Sequence, residues 1–149
     1  MRAVVQRVRR ASVDVGEQRL VSMGEGVLAF VGVGHRDGPR DASELAKKIV
    51  GLRIFEDESG RMNRSLLEVG GSLGLVSQFT LWADARKGRR PSFGDAAEPA
   101  VAEPIFESVV EAARQFGVPV VTGRFGATMD VSLVNAGPVT ILLDTERVF

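Results

Sequence analysis

Short strand-like runs dominate the first third of the chain. Ala3 to Val8, Ser12 to Val15, Arg19 to Ser22 and Val27 to Val33 are rich in valine, leucine and alanine, and turn signals stand at Gly16 and Gly24 to Gly26. An antiparallel meander is expected there. The period then changes: Ala42, Leu45, Ala46, Ile49 and Leu52 recur at the spacing of one helical face. Asp41 is placed to cap that helix, with Glu44 at the third helical position. The helix should pack on the sheet.

After a short run, Arg53 to Phe55, the polar stretch Glu56 to Asn63 reads as a turn and Leu73 to Phe79 as a second apolar strand. From Ala83 to Pro99 the pattern breaks down into a stretch rich in Gly, Pro and charge. It is long for a connection and is a candidate substrate edge. The second helix is expected from Ala100 to Phe116, with Val101, Ile105, Phe106, Val109, Val110, Ala113 and Phe116 on its buried side. It stops at Gly117 before Pro119. Three strands close the chain: Pro119 to Thr122, Ala127 to Val134 and Val139 to Leu143. The last two are joined by a turn at Asn135-Ala136-Gly137-Pro138. No repeat, low-complexity segment or linker divides residues 1–149, which read as one domain.

Composition narrows the function classes. A chain of 149 residues, 44% hydrophobic and 26% charged, is long enough to bury a core and is neither disordered nor fibrous. The longest apolar run, Val27 to Val33, is too short to span a bilayer, and the arginine-studded N-terminus lacks the apolar core of a secretory signal; the cytoplasm is the default compartment. With no cysteine there is no disulfide, no thiolate nucleophile and no Cys-based metal site. One histidine, His35, cannot build a two-His site within a chain, and in the turn GVGHRDGP it reads as a solvated loop residue. No metal and no cofactor are expected. Nineteen basic residues balance nineteen acidic ones, so no overall field draws the chain to nucleic acid. The charge is nevertheless polarised: Arg2, Arg7, Arg9 and Arg10 precede the first acid, and Arg86, Lys87, Arg89 and Arg90 crowd one loop.

Two segments could carry chemistry. Ser77-Gln78-Phe79-Thr80-Leu81 sets a hydroxyl, an amide and a second hydroxyl at the end of an apolar strand. Burying such groups unpartnered costs about 1–3 kcal/mol each, so they either satisfy the adjacent turn or face a pocket. Asn135 to Thr140 contains a Gly-Pro pair that, taken alone, is an ordinary turn.

Together with their surroundings these segments resemble one family, the D-aminoacyl-tRNA deacylases, which cleave D-amino acids from mischarged tRNA. The resemblance runs through MRAVVQRV at Met1 to Val8, LRIFEDESGRMNRSL at Leu52 to Leu66, LVSQFTLWADARKGRRPSF at Leu75 to Phe93 and GRFGATMDVSLVNAGPVTILL at Gly123 to Leu143. It covers nearly the whole chain, and SQFTL combined with a C-terminal NxGPVT is highly specific. Ala136 departs from the acidic residue expected of the family there.

The resemblance implies an α+β fold in which a mixed, largely antiparallel sheet forms a partly closed barrel with two packed helices. It implies a homodimer in which the Gly137-Pro138 bond of each subunit is cis and enters the partner's pocket. Its carbonyls would hold the substrate ammonium while filling the space an L side chain needs. Such a filter cannot easily reject glycine, so glycyl-tRNA(Ala) is an expected second substrate beside D-aminoacyl-tRNA. Ser77, Gln78, Phe79 and Thr80 become the catalytic segment, and Phe125, Gly126 and Met129 the seat of the terminal adenosine. Arg86, Lys87, Arg89 and Arg90, and behind them the N-terminal arginines such as Arg9 and Arg10, become contacts to acceptor-stem phosphates. Thr80 is the nucleophile by position, yet no histidine or lysine in its motif takes the proton. The alternative is substrate assistance by the free ribose hydroxyl, with backbone N–H groups around Phe79 and Thr80 holding the oxyanion. Two rivals remain: a noncatalytic nucleic-acid-binding module built on the basic loop, and an interaction protein whose sheet only dimerises.

Overall fold

The computed structural model describes residues 1–148. Its organising element is β1 (Arg2–Val15), a strand of 14 residues where two shorter ones were expected. Length lets it take different neighbours along its course. Its first half pairs antiparallel with β3 (Gly26–Gly32), its second half with β2 (Gln18–Met23), and nearly all of it with β8 (Asp130–Asp144). The expected meander is therefore corrected: β1 lies between β2 and β3. Beyond β3 the sheet continues with β6 (Ser72–Ser77) and β7 (Val120–Thr122), both added in parallel. Arg124, just after β7, donates through Nη2 to Gln18 Oε1 of β2 at 3.3 Å, so the two ends of the sheet meet and the sheet curls into a nearly closed barrel.

The faces of this sheet are covered differently. One buries Ala3, Val5, Ala29, Val31, Leu73 and Leu75 beneath α1 (Pro39–Gly51) and α3 (Pro99–Gln115), which supply Leu45, Ile49, Phe106 and Val109. The other gathers Val8, Ala11, Val13, Val21, Met23, Leu28 and Val76, with Phe30, Met129 and Leu133 half-buried around them. Val109, Leu45, Leu28 and Val8 are essentially inaccessible. At roughly 25 cal/mol per Å² each such side chain contributes about 1.5–3 kcal/mol of burial. Both clusters rest on β1: Val8 reaches the second face by simple alternation from Val5, and the register shift at Val8/Arg10, where Arg9 is surplus on β1, keeps Ala11 and Val13 on that same face.

Several boundaries differ from expectation. The cap of α1 is Gly38, not Asp41; Pro39 opens the helix with its preset φ, and Asp41 at the third position accepts from the Gly38 amide at 3.0 Å. Leu52 lies past the helix end. In α3 the expected buried positions Val101 and Phe116 are 50% and 40% exposed. The supposed turn after Phe55 is a small hairpin, β4 (Phe55–Glu56) with β5 (Met62–Arg64). A one-turn helix, α2 (Leu66–Val69), follows it, where Ser65 and Glu68 form a reciprocal capping box. No helix among the described residues is long and apolar enough to cross a membrane.

The start of β1 is pinned by charge. The buried Met1 ammonium donates to Asp37 Oδ1 at 2.6 Å and to Thr145 Oγ1, while Asp37 Oδ2 accepts from the Gly34 amide at 2.6 Å. Next to that anchor, two glycines admit the indole of Trp82. A Cβ on Gly34 would stand 2.5 Å from Trp82 Cζ2, and one on Gly32 would stand 2.8 Å from the Gln78 carbonyl. Gly34→Ala is expected to unseat Trp82 and lower stability by about 1–3 kcal/mol, the usual size of an overpacking penalty; urea unfolding with an unchanged m-value measures it.

Candidate active site

The polar run after β6 is set by where that strand ends. The Gln78 amide donates to Val31 O at 2.8 Å as the last rung beside β3, and the chain then winds into a tight 3₁₀ turn, Phe79–Trp82. A strand through Phe79 was expected; it stops at Ser77 because Trp82 must drop onto Gly32 and Gly34. Arg2 fixes the turn from the other side. Its guanidinium lies 4.1 Å from the Trp82 ring centre, and Nη1 donates to Leu81 O at 3.1 Å. The Trp82 Nε1–H is buried with no partner among the described residues.

This turn presents its groups outward. Ser77 and Gln78 are half-buried, Thr80 is exposed, and Phe79 is 58% exposed with its ring edge-on to Phe93 at 5.1 Å. Gln78 Nε2 donates to Thr80 Oγ1 at 2.7 Å, so the group next to this hydroxyl is an amide donor, which cannot take its proton. Among the described residues the Phe79 and Thr80 amides donate to no protein acceptor, as befits the first residues of a helical turn. The arrangement offers two free N–H donors beside a hydroxyl and an uncovered aromatic ring.

The second segment is not the expected turn between two strands. β8 runs through it, and the excursion is forced by register: Gln6 faces Thr140 and Val8 faces Asn135, so the single residue Arg7 stands opposite residues 136–139. The surplus buckles outward as a bulge with Gly137 and Pro138 exposed at its tip and a cis peptide between them. Position 137 takes glycine because a Cβ there would lie 2.6 Å from the Val139 nitrogen.

Two residues not chosen as site residues from sequence hold the bulge. Asn135 straddles it: Oδ1 accepts from the Val139 amide at 2.7 Å, while Nδ2 donates to Val139 O at 2.9 Å and to Gln6 Oε1 at 3.3 Å. Arg7, counted above only as one of the N-terminal arginines, lies beneath the bulge. Its Nε donates to Ala136 O and its Nη1 to Ile54 O, both at 2.7 Å, with Glu56 3.9 Å away. The available signal was an arginine between buried Val5 and Val8 in an apolar strand.

The structure does not bring the two segments together within one chain. Arg2 touches the 79–82 turn and Arg7 the 136–139 bulge, five residues apart on β1, or roughly 17 Å at the rise of a strand. Nor do Phe125 and Met129 face each other: Phe125 packs 6.1 Å from Phe106 on the helix side, whereas Met129 joins the opposite cluster with its sulfur beneath Gly123. Gly126 between them is exposed, with a left-handed φ of 72°. In the long connection, Asp84 and Ser92 form an isolated bridge, and Arg86 turns back onto Asp84 through Nε and Nη2 at 2.9 and 2.7 Å. Those hydrogen bonds hold the Asp84 carboxyl well below the usual carboxylate range, so the tie is present above that range and is lost only in strong acid. Arg86 is thereby compensated, while Lys87, Arg89 and Arg90 are exposed. His35 is an exposed loop residue near Asp95 O.

Comparison with known proteins adds an independent line. The family model for D-Tyr-tRNA(Tyr) deacylase matches residues 4–144. A D-aminoacyl-tRNA deacylase of Thermomicrobium roseum is 59% identical over 147 residues, 99% of this chain and 96% of that protein. One of Thermosipho africanus is 51% identical over the full length of both. Among solved structures, a c-Myc DNA unwinding element binding protein superposes with a TM-score of 0.91 at 38% identity, over 97% of this chain and 99% of the other. A probable eukaryotic D-amino acid tRNA deacylase, 18% identical, shares the fold at a TM-score of 0.81 over 95% of this chain and 97% of the other.

The clamp around the bulge has a measurable weight. Asn135→Ala leaves the Val139 N–H and C=O without their side-chain partner and is expected to cost about 1–3 kcal/mol. Chemical denaturation gives the size of the effect, and faster amide exchange at Val139 locates it.

Proposed function

Because this chain belongs to the D-Tyr-tRNA(Tyr) deacylase family, we propose that it is a hydrolase cleaving the ester between a D-amino acid and the terminal ribose of tRNA. The observation that carries the reading is the exposed turn after β6, where the free Phe79 and Thr80 amides stand beside the Gln78–Thr80 hydrogen bond within the span matched by the family model. Unpaired main-chain N–H donors are what an oxyanion needs as the ester carbon becomes tetrahedral. Thr80 has an amide donor and no base beside it, which favours the ribose hydroxyl next to the ester as the group that activates or positions water.

Selection against L-aminoacyl-tRNA is assigned to the Gly137–Pro138 bulge of a second copy. Two features support a homodimer with its site at the subunit junction. The bulge is exposed and is held by Arg7, whereas the turn is held by Arg2, five residues away on β1, and the Phe79 ring on that turn, though edge-on to Phe93, is left 58% exposed. Main-chain carbonyls at the bulge would receive the substrate ammonium, and the room an L side chain needs would be filled. Glycine offers no side chain to exclude, so glycyl-tRNA(Ala) is a substrate on this reading. Phe125 and Met129, packed on opposite sides, cannot flank one base together, so the terminal adenosine is assigned to the exposed, φ-positive Gly126 between them, where backbone can approach closely. Lys87, Arg89 and Arg90 are assigned to phosphates; action on aminoacyl-tRNA makes the cytoplasm its setting.

The rival reading, a nucleic-acid-binding module without turnover, draws on the likeness to a c-Myc DNA unwinding element binding protein. Single-turnover hydrolysis of D-aminoacyl-tRNA beside its L counterpart separates them. Fast release of the D residue with the L ester surviving supports the deacylase; no release of either, with tRNA bound, supports the module. For the mechanism, Thr80→Ala is expected to retain at least about a tenth of the wild-type rate. Replacing the terminal ribose hydroxyl by hydrogen is expected to slow hydrolysis about a hundredfold or more, the scale of a missing acid–base partner. A Thr80→Ala rate equal to the uncatalysed one, with fold and binding intact, would instead assign the nucleophile to Thr80.

A further inference from the structure

On the side of β8 away from β1, its last residues face the C-terminal half of α1 across a groove of about 900 Å³. Its floor is apolar, Leu52 and Leu142, and its rim is cationic: Lys47 and Lys48 from α1, Arg53 after the helix and Arg147 beyond β8. Two carboxylates also line it, but Asp144 is covered and paired with Arg2 Nε at 3.2 Å, which leaves Glu44 alone against four cations. The groove is also joined to the candidate active site. Arg2, bound to Asp144 at one end, donates to Leu81 O of the 79–82 turn at the other, so one side chain spans the distance between them.

We propose that this groove binds the phosphodiester backbone of the tRNA acceptor stem while the charged 3′ end lies at the 79–82 turn. The inference rests on the deacylase reading above and deepens it by naming a second, larger contact surface besides the 86–90 loop. Charge chooses the occupant. Two copies of the chain meeting here about a two-fold axis would set like charges against each other, since such an interface presents the same patch on both sides. A polyanion with regularly spaced phosphates instead meets a cation at each rim position, and the apolar floor accepts the ribose faces between them. Arg53 is already oriented, its guanidinium donating to Asn63 O at 2.7 Å and to the Asn63 side chain. Lys47 and Lys48 stand free on the exposed face of α1.

The test compares Lys47→Gln/Lys48→Gln with wild type on D-aminoacyl-tRNA over a range of salt concentrations. Each phosphate deprived of its lysine should reduce the slope of log affinity against log salt by about 0.7–0.9, so the double variant should flatten it by about 1.5 and raise KM about tenfold near 0.1 M salt. Its kcat at saturating tRNA should be unchanged, because neither lysine touches the turn. D-aminoacyl-adenosine, which carries the ester without the stem, should be hydrolysed equally by both proteins. An unchanged salt slope in the double variant overturns the proposal. So does a shift to monomer for Lys47→Glu/Lys48→Glu on size-exclusion chromatography, since that makes the groove a contact between copies. Failure of the wild type itself to cleave D-aminoacyl-adenosine or D-aminoacyl-tRNA would strike the deacylase reading instead, so the two are distinguishable.

Discussion

The mismatch in length between β1 and β8 is the constraint from which the rest of the molecule follows. Two long antiparallel strands could pair without interruption; here one residue of β1 faces four of β8, and the surplus has nowhere to go but outward. A second irregularity beside it, the extra residue Arg9 on β1, turns the second half of that strand over, so that a single strand feeds apolar side chains into a helix-covered core at one end and into the other face at the other. A perfect ladder would give a flatter sheet with one core and no projecting main chain. The bulge holds its shape because its polar groups are answered locally, by Asn135 across its base and Arg7 beneath it. An unsatisfied amide or carbonyl here would cost about as much as the bulge's own contacts return.

β1 also anchors both candidate segments. Arg2 and Arg7 are spaced as the strand spaces them, and each reaches with its guanidinium to a carbonyl of a different segment. Each segment is thereby fixed to its own position on one strand. Cover is divided in the same way. Helices α1 and α3 stabilise one side of the sheet and leave the Phe79 ring and the free amides of the turn open.

Much of the fold was legible because apolar spacing is a statement about burial. Leu45, Ala46 and Ile49 on α1 and Ile105, Phe106, Val109, Val110 and Ala113 on α3 are where the helical period put them. What the spacing could not carry was partner choice. That β3 crosses to the far side of β1, or that β8 continues through Asn135 to Pro138, depends on hydrogen bonds between residues more than a hundred positions apart in the second case. The helix cap went to Gly38 because Pro39 fits the first helical position and leaves Asp41 the third, a choice between two acceptable caps that composition does not rank. The SQFTL and NAGPVT segments were visible as motifs, whereas Arg7 and Asn135 were not, since their role exists only once the bulge does. The capping box at Ser65 and Glu68 has its signature in the sequence, a serine three residues before a glutamate, just beyond the polar stretch.

The candidate site differs from most hydrolytic centres in what it asks of side chains. Gln78 donates to Thr80, Arg7 and Asn135 hold backbone, and the groups left pointing outward are main-chain N–H on the turn and a Gly-Pro stretch on the bulge. Main chain is indifferent to side-chain identity, so a site made from it discriminates by shape about the α-carbon alone. That suits a hydrolase that must accept many D residues while sparing every L one, and it leaves affinity to be supplied elsewhere. With a formal net charge of zero, that affinity has to come from local clusters of arginine and lysine, not from the field of the whole molecule. Under the proposed function, chemistry and handedness would reside in backbone geometry, and hold on the polyanionic remainder of the substrate in patches such as the cationic rim beside α1.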